Sequence, residues 1–242
     1  MKTAFVTGGS GGIGSAVCRR LAEEGYAVAV GYCKGKEQAE ALCKELMSGG
    51  SVAKAIHIDL TDPLSISEAF KEAESIFGSV TVLVNNAGRA HIGLFTDMSE
   101  EEIVSLLTAD LTGAMLLTRL AVPGMVKRGS GRIVNISSVW GEVGASCETV
   151  YSAAKAGIIG FTKALGKELA PSGVTVNCIS AGAIDTPMNA CLSEDEKDDL
   201  IDSIPAGRLG SPEEIAELAA FLCSDKAGYI TAQSIRCDGG WC

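Results

Sequence analysis

Three polar side chains have the types and spacing for redox chemistry on a carbonyl: Ser138, and Tyr151 with Lys155 in the run Tyr151-Ser152-Ala153-Ala154-Lys155. Residues four apart share a helix face, so if Tyr151 opens a helix the Lys155 ammonium stands beside the phenol. Opposite unit charges about 4 Å apart at an effective dielectric of about 20 attract by about 4 kcal/mol, enough to ease the phenol's proton off near neutrality. Tyr151 then becomes a usable acid or base. Ser138 closes the strand-like run Arg132-Ile-Val-Asn-Ile-Ser-Ser138, which predicts its hydroxyl at a strand's carboxyl end, where open α/β sheets bind ligands. There it can hold a substrate oxygen. A Tyr-x-x-x-Lys spacing also arises by chance, so the reading depends on the elements that must position it.

The chain opens with an apolar and β-branched run, Lys2 to Thr7, then Gly8-Gly9-Ser10-Gly11-Gly12-Ile13-Gly14, then Ile13, Val17 and Leu21 at helical spacing. This is strand, glycine turn, helix. The turn fits Gly-x-Gly-x-x-Gly through Gly9, Gly11 and Gly14, and Gly-x-x-x-Gly-x-Gly through Gly8, Gly12 and Gly14. Glycines allow close backbone approach, and the helix N-terminus behind them suits a pyrophosphate. The same letters spell Gly8-x-Ser10-x-Gly12, a hydrolase nucleophile elbow. That alternative needs a histidine far downstream, and the last one is His91. After the second strand stands Gly31-Tyr32-Cys33-Lys34, where an NAD-type fold puts a carboxylate on the ribose. With no acid there, and Lys34 or Lys36 able to neutralise a 2′-phosphate, NADP (NADPH) is favoured over NAD.

Alternating units follow. Strands are expected over 26–32, 51–58, 80–84, 132–138, 174–179 and 234–237, and helices over 37–47, 65–77, 100–128, 151–170 and 212–223. Alternation of this kind predicts an α/β, single-domain Rossmann fold: a doubly wound parallel sheet of about seven strands with helices on both faces. Residues 1–242 are expected to form one NAD(P)-binding domain, with a short substrate lid around 188–204, where Glu194, Asp195, Glu196, Asp198 and Asp199 stand beside Leu192, Leu200 and Ile201; a plain solvated helix is the other reading of this segment.

Composition narrows the function classes. Hydrophobic residues make up 47%, as a sheet buried on both faces requires. No apolar run approaches the ~20 residues of a membrane span, and the first residues read as a strand and not a leader, so a cytoplasmic location is expected. The net charge of −10 argues against nucleic acid and anionic membrane as partners. Nine cysteines and two histidines, scattered and without Cys-x-x-Cys, give no reason to expect a metal site or disulfides.

With these pieces in order, the chain resembles the short-chain dehydrogenase/reductase family from end to end. The resemblance lies in Thr7-Gly8-x-x-x-Gly12-Ile13-Gly14, Asp59, Asn85-Asn86-Ala87-Gly88, Ser138, Tyr151-x-x-x-Lys155, Ile184-Asp185-Thr186 and Asp238-Gly239-Gly240. Within the family it is most similar to 3-oxoacyl-(acyl-carrier-protein) reductases, through Gly160-Phe161-Thr162-Lys163-Ala164-Leu165, Val174-Thr-Val-Asn177 and Tyr229-Ile-Thr231. The resemblance implies that Tyr151 protonates the carbonyl oxygen as hydride arrives, that Lys155 assists it and grips the nicotinamide ribose, and that Ser138 bonds the substrate oxygen. It implies a cofactor site of Gly8, Ser10, Gly12, Ile13, Gly14, Tyr32, Lys34, Asp59, Leu60, Asn86, Ala87, Gly88, Tyr151, Lys155, Ile184 and Thr186. For 85–88 a purely structural turn is the other reading.

Four departures qualify this. Asp110 stands where the family has a fourth catalytic residue, an asparagine whose backbone carbonyl orders a water and whose position bends the long helix. Ala181-Gly182 replaces a Pro-Gly, which predicts a looser turn beneath the nicotinamide. Gly11 stands where NADP-preferring members carry a base. At the positions where carrier-protein reductases show exposed arginines, this chain has Gly129 and Ser172, leaving Lys127, Arg128 and Arg132. The substrate expected is a small-molecule ketone or acyl thioester, with an acyl carrier protein as a possible partner. Trp140, Val143, Cys147 and Met188 are expected to border an apolar pocket. The helix from Tyr151 is apolar or small nearly all round, and Trp241-Cys242 is apolar, which predicts a homotetramer, as in the family. The competing functions are a general secondary-alcohol, steroid or sugar dehydrogenase, and a nucleotide-binding sensor impaired at Asp110.

Overall fold

Short apolar runs too brief for helices become strands here because each is covered on both sides. In the computed structural model, which describes residues 2–187 and 193–242, the strands are β1 (Thr3–Val6), β2 (Ala27–Tyr32), β3 (Ala53–His57), β4 (Val82–Asn85), β5 (Gly131–Ser138), β6 (Val174–Ala181) and β7 (Ser234–Cys237). All pairings are parallel, in the order β3-β2-β1-β4-β5-β6-β7. The order turns back between β1 and β4, so connections leave on opposite sides and a crevice opens at the strands' carboxyl ends.

The helices cover both faces. On one side α1 (Gly12–Glu23), α2 (Lys36–Ser48) and α9 (Pro212–Cys223) bury Val17, Leu21, Leu42, Ile215 and Leu222 against Val6, Val28 and Val30. On the other, α3 (Pro63–Phe77) and α5 (Gly113–Arg128) bury Ile66, Phe70, Leu117 and Met125 against Phe5, Leu83 and Ile133. Burying each such side chain is worth roughly 1.5–3 kcal/mol. Several helix starts are written into the sequence: Asp62 caps α3 ahead of Pro63. Ser99, Ser193 and Ser211 form capping boxes with Glu102, Glu196 and Glu214.

Three differences from the sequence reading bear on the site. The helix expected over 100–128 is α4 (Glu100–Leu107) and α5, separated by one π turn, Thr108–Thr112, that holds Asp110. An α-periodic pattern cannot register one residue's excess over a normal turn. The stretch Glu100–Arg128 has the length and apolar character of a membrane span, against expectation. Its Leu106, Leu117, Ala121 and Met125 are instead packed into the protein core. A short helix, α6 (Trp140–Val143), follows Ser138 directly, and α7 (Thr149–Leu169) starts two residues ahead of Tyr151. Within the segment read as a lid, Ser193 starts a true helix, α8 (Glu194–Ser203). Residues 188–192, including Met188, lie outside the described residues.

A buried polar ladder crosses the sheet under the crevice. Asn85 Nδ2 donates to Thr118 Oγ1 at 3.0 Å and to Asn135 Oδ1 at 2.8 Å, and Asn135 Nδ2 donates to Thr162 Oγ1 at 2.8 Å. It fixes α5 and α7 in register with β4 and β5, since any slip strands buried amides at roughly 1–3 kcal/mol each. Ala181, expected to loosen a turn, instead ends β6 in register with Ser138 and Cys237. Its carbonyl accepts the Val139 N–H at 3.0 Å.

The loop after α8 is tied down by Arg208, whose Nη1 and Nη2 donate to the Glu214 carboxylate at 2.8 and 2.7 Å, while Ser211 N donates to it at 2.8 Å. Arg208, then the Ser211 amide, hold the Glu214 carboxyl down at about 2, against an ordinary 4.5. A depressed carboxyl contributes stability above its unfolded value and loses it as pH falls toward its folded value. Glu214→Gln is therefore expected to lower the thermal midpoint at neutral pH, with the deficit shrinking from about pH 4.5 down to about pH 2. A deficit that stays constant over a pH series of melting curves would trace the loss to packing.

Candidate active site

The crevice is assembled from four chain segments. The glycine turn lies between β1 and α1, and its closeness is obligatory: a β-carbon at Gly14 would stand 2.1 Å from the Gly8 carbonyl oxygen. Gly8 itself has φ +62°. Thr7 Oγ1 accepts the backbone N–H groups of Asn86 and Ala87 at 3.0 and 3.1 Å, and Asn86 Nδ2 donates to the carbonyls of Thr7 and Gly8 at 3.0 and 3.2 Å. Thus the 86–88 segment is clamped to the turn, and Asn86 does structural work there. Thr7 is the residue the sequence reading quoted without seeing its role. From the far side Thr186 reaches over: a β-carbon on Gly12 would fall 2.7 Å from Thr186 Cγ2. Ile184 is buried and bridged to Gly210.

The residues suit a dinucleotide on an observation internal to this chain. Gly11 is the N-cap of α1, which like α2 and α7 has no side-chain cap; α1 also carries no acid in its first turn. Its first N–H groups and positive dipole end are left for an external anion such as a pyrophosphate. Ile13 packs on the core below. At the end of β2, Tyr32 lies edge-on to His57, ring centroids 5.6 Å apart. Ser10 Oγ donates to the Lys34 carbonyl at 3.5 Å. Asp59 Oδ1 accepts from Thr61 N at 2.8 Å and Thr61 Oγ1 at 2.7 Å, and these bonds hold its carboxyl below the ordinary value. Oδ2 lies outside them. Leu60, expected at the cofactor, has its side chain buried in the core.

At the carboxyl end of β5 stands Ser138, whose Oγ accepts the Trp140 N–H at 3.2 Å, and α7 delivers Tyr151 and Lys155 from one face. The two elements are locked together: Ser137 Oγ donates to the Lys155 carbonyl at 2.9 Å, and α6 approaches so closely that a β-carbon on Gly141 would lie 2.7 Å from Lys155 C. Lys155 Nζ sits 5.4 Å from the centre of the Tyr151 ring. It also donates to the Ile136 carbonyl at 3.4 Å and meets Asp110 Oδ2 at 3.5 Å. Burial pulls the ammonium's pKa down, but Tyr151 and Asp110 outweigh it and the net direction is upward. Burial raises the Asp110 carboxyl, opposed by Lys155 and the Arg89 amide. Of the residues expected around the substrate, Trp140 packs on Trp241 with centroids 4.7 Å apart. Val143 is exposed, and Cys147 takes φ +62°.

Comparison with known proteins places this geometry. The family model described as enoyl-(acyl carrier protein) reductase matches residues 8–242. The chain is 43% identical over 239 residues to the 3-oxoacyl-[acyl-carrier-protein] reductase FabG of Staphylococcus aureus, covering 99% of this chain and 97% of that one. It is 42% identical over 241 residues to an uncharacterized oxidoreductase, YmfI, of Bacillus subtilis, covering 99% and 98%. Among solved structures it superposes on a blue fluorescent protein from a metagenomic library in complex with NADPH at a TM-score of 0.94. That match has 35% identity and covers 99% and 97% of the two chains.

The glycine contacts give a direct test. Gly14→Ala forces a backbone collision and should weaken NADPH binding by at least about tenfold and lower the melting point, as backbone strain of this kind predicts. Gly11→Ala, whose β-carbon would rest 3.4 Å from the Gly8 oxygen, should change both far less. Equal losses in fluorescence titrations of the two variants would contradict the cradle described above.

Proposed function

The chain belongs to the short-chain dehydrogenase/reductase family of NAD(P)-dependent oxidoreductases, and from that premise we propose that it reduces a carbonyl to a secondary alcohol with NADPH, a 3-oxoacyl thioester being the first substrate class. The observation that carries the reading is the buried Lys155 beside the Tyr151 ring at the mouth of the crevice, one strand end from Ser138. When bound, the reduced nicotinamide supplies a hydride to the carbonyl carbon. Ser138 Oγ donates to the substrate oxygen and orients it. Tyr151 gives its proton to that oxygen as the electron pair arrives, and is reprotonated from water. Lys155 stabilises the phenolate left behind and binds the ribose. Overall a ketone, a reduced nicotinamide and a proton become an alcohol and an oxidised nicotinamide. The matching family model is described by an enoyl reductase, but a phenol and a serine hydroxyl converge more naturally on a carbonyl oxygen than on a carbon–carbon double bond.

NADPH is preferred in this reading because no carboxylate follows β2. Among the described residues Lys34 makes no ion pair, whereas Lys36 is drawn toward Glu40 at 3.8 Å. Docking of an acidic carrier protein has weaker support. Arg128 Nη2 is spent on the Val80 carbonyl at 2.7 Å, Arg132 Nε on the Ser224 carbonyl at 3.3 Å, and Gly129 is the left-handed cap of α5. A homotetramer is supported by exposed Ala153, Ala156, Gly160 and Ala164 along one stripe of α7. The same reading puts the protein in the cytoplasm, where its scattered thiols stay reduced, and keeps the segment around 188–204 as a lid.

The assay follows NADPH and NADH absorbance with acetoacetyl-CoA, an enoyl-CoA and a panel of ketones. NADPH consumption with the oxo compounds is expected, and consumption with the enoyl compound alone would overturn the reading. Tyr151→Phe should lower turnover by at least about a thousandfold, in the upper range for loss of a general acid, with NADPH affinity nearly intact. A parallel loss of both would make Tyr151 structural.

A further inference from the structure

Lys155 does not face the crevice as a lone charge. Asp110 is 2% exposed and its Oδ2 is 3.5 Å from Lys155 Nζ. Its two oxygens both accept the Arg89 backbone N–H, at 3.0 and 3.2 Å. Gly88 closes the third side: a β-carbon there would stand 2.8 Å from both Asp110 Oδ2 and Lys155 Nζ. The π turn is what swings this carboxylate under the ammonium. The charged and titratable groups acting on the pair are Lys155 and Tyr151 from α7, Arg89 from the segment after β4, and Cys178 from β6.

We propose that Asp110 is a positioning residue that holds Lys155 in place and offsets its charge toward Tyr151, thereby setting the pH range over which the proton needed for reduction is available; this rests on the carbonyl-reductase reading. A lone ammonium stabilises a nearby phenolate as a full charge. An ammonium paired with a carboxylate acts as a dipole, whose field falls off faster with distance. The pair neither gains nor loses a proton in the reaction. The Tyr151 O–H bond breaks as the substrate O–H bond forms, and the hydride's electrons end in the new C–H bond. Asp110 acts only by making the phenolate less favourable, so that the phenol keeps its proton to higher pH.

The test is Asp110→Asn, which keeps shape and removes the charge. Its alkaline limit for NADPH-dependent reduction should move down by about one pH unit, the size of effect a nearby buried charge produces. A profile superimposable on the wild type overturns the proposal. Stability supplies a readout free of activity. Lys155→Met strands a buried carboxylate and should lower the thermal midpoint, and adding Asp110→Asn should recover part of that loss. Absence of recovery also overturns it. Should no carbonyl compound turn over, the reductase reading fails by itself. The alkaline absorbance titration of the phenol, taken as the difference from Tyr151→Phe with and without Asp110→Asn, then gives the pH shift in place of the rate.

Discussion

Much of this architecture follows from keeping one ammonium out of water. Desolvating a charge costs several kcal/mol even after relaxation, and Lys155 is 4% exposed. It is tolerated because three separate segments bring it negative or dipolar partners: the Ile136 carbonyl from β5, the Asp110 carboxylate from the π turn, and the Tyr151 ring from its own helix. Each partner imposes a condition on the fold. β5 must run alongside α7, the long helix must break at one turn, and α7 must carry Tyr151 and Lys155 on a shared face.

Those conditions explain the buried polar ladder. A helix sliding half a turn along an apolar surface loses little burial, because the hydrophobic contribution is not directional. A slip of α7 by one residue would carry Lys155 away from Ile136 and Asp110 together. The bonds from Asn135 to Thr162 and from Ser137 to the Lys155 carbonyl supply the directional restraint that apolar packing lacks. The same logic holds across the crevice, where Thr7 and Asn86 fasten the glycine turn to the segment after β4. The cofactor end and the chemical end are joined through β4.

The sheet, its alternation with helices and the glycine turn after β1 were legible in the sequence because each depends on short-range pattern: continuous apolar strands, a glycine run and helical spacing. The resemblance marked Asp110 as the place where the long helix bends, but the form of the bend was not legible: Thr108 to Thr112 reads as ordinary helix letter by letter, and only the structure shows a π turn. Leu60, which the resemblance marks for the cofactor, packs its side chain beside Gly113 and into the core. Thr7 and Asn86 were visible only as motif letters, since the hydrogen bonds that give them their job join residues 79 apart in the chain. Trp241, odd as an exposed terminus, is accounted for by Trp140.

The departures from family pattern form a compensated set, and that bears on whether the site is working or decayed. A carboxylate placed in a buried site without a partner would be a scar, costing stability for no return. Here Asp110 meets Lys155 on one side and the Arg89 amide on the other. An alanine in place of a proline adds a backbone N–H that must be accommodated, and Ala181 sits within the β6 ladder between Ser138 and Cys237. Gly129 replaces a surface arginine at a position of φ +66°, where glycine is the least strained choice. A chain released from selection on turnover would accumulate changes whose charges and amides go unanswered. In this crevice Asp110 and Ala181 both have partners, and the partner of Asp110 is the buried Lys155.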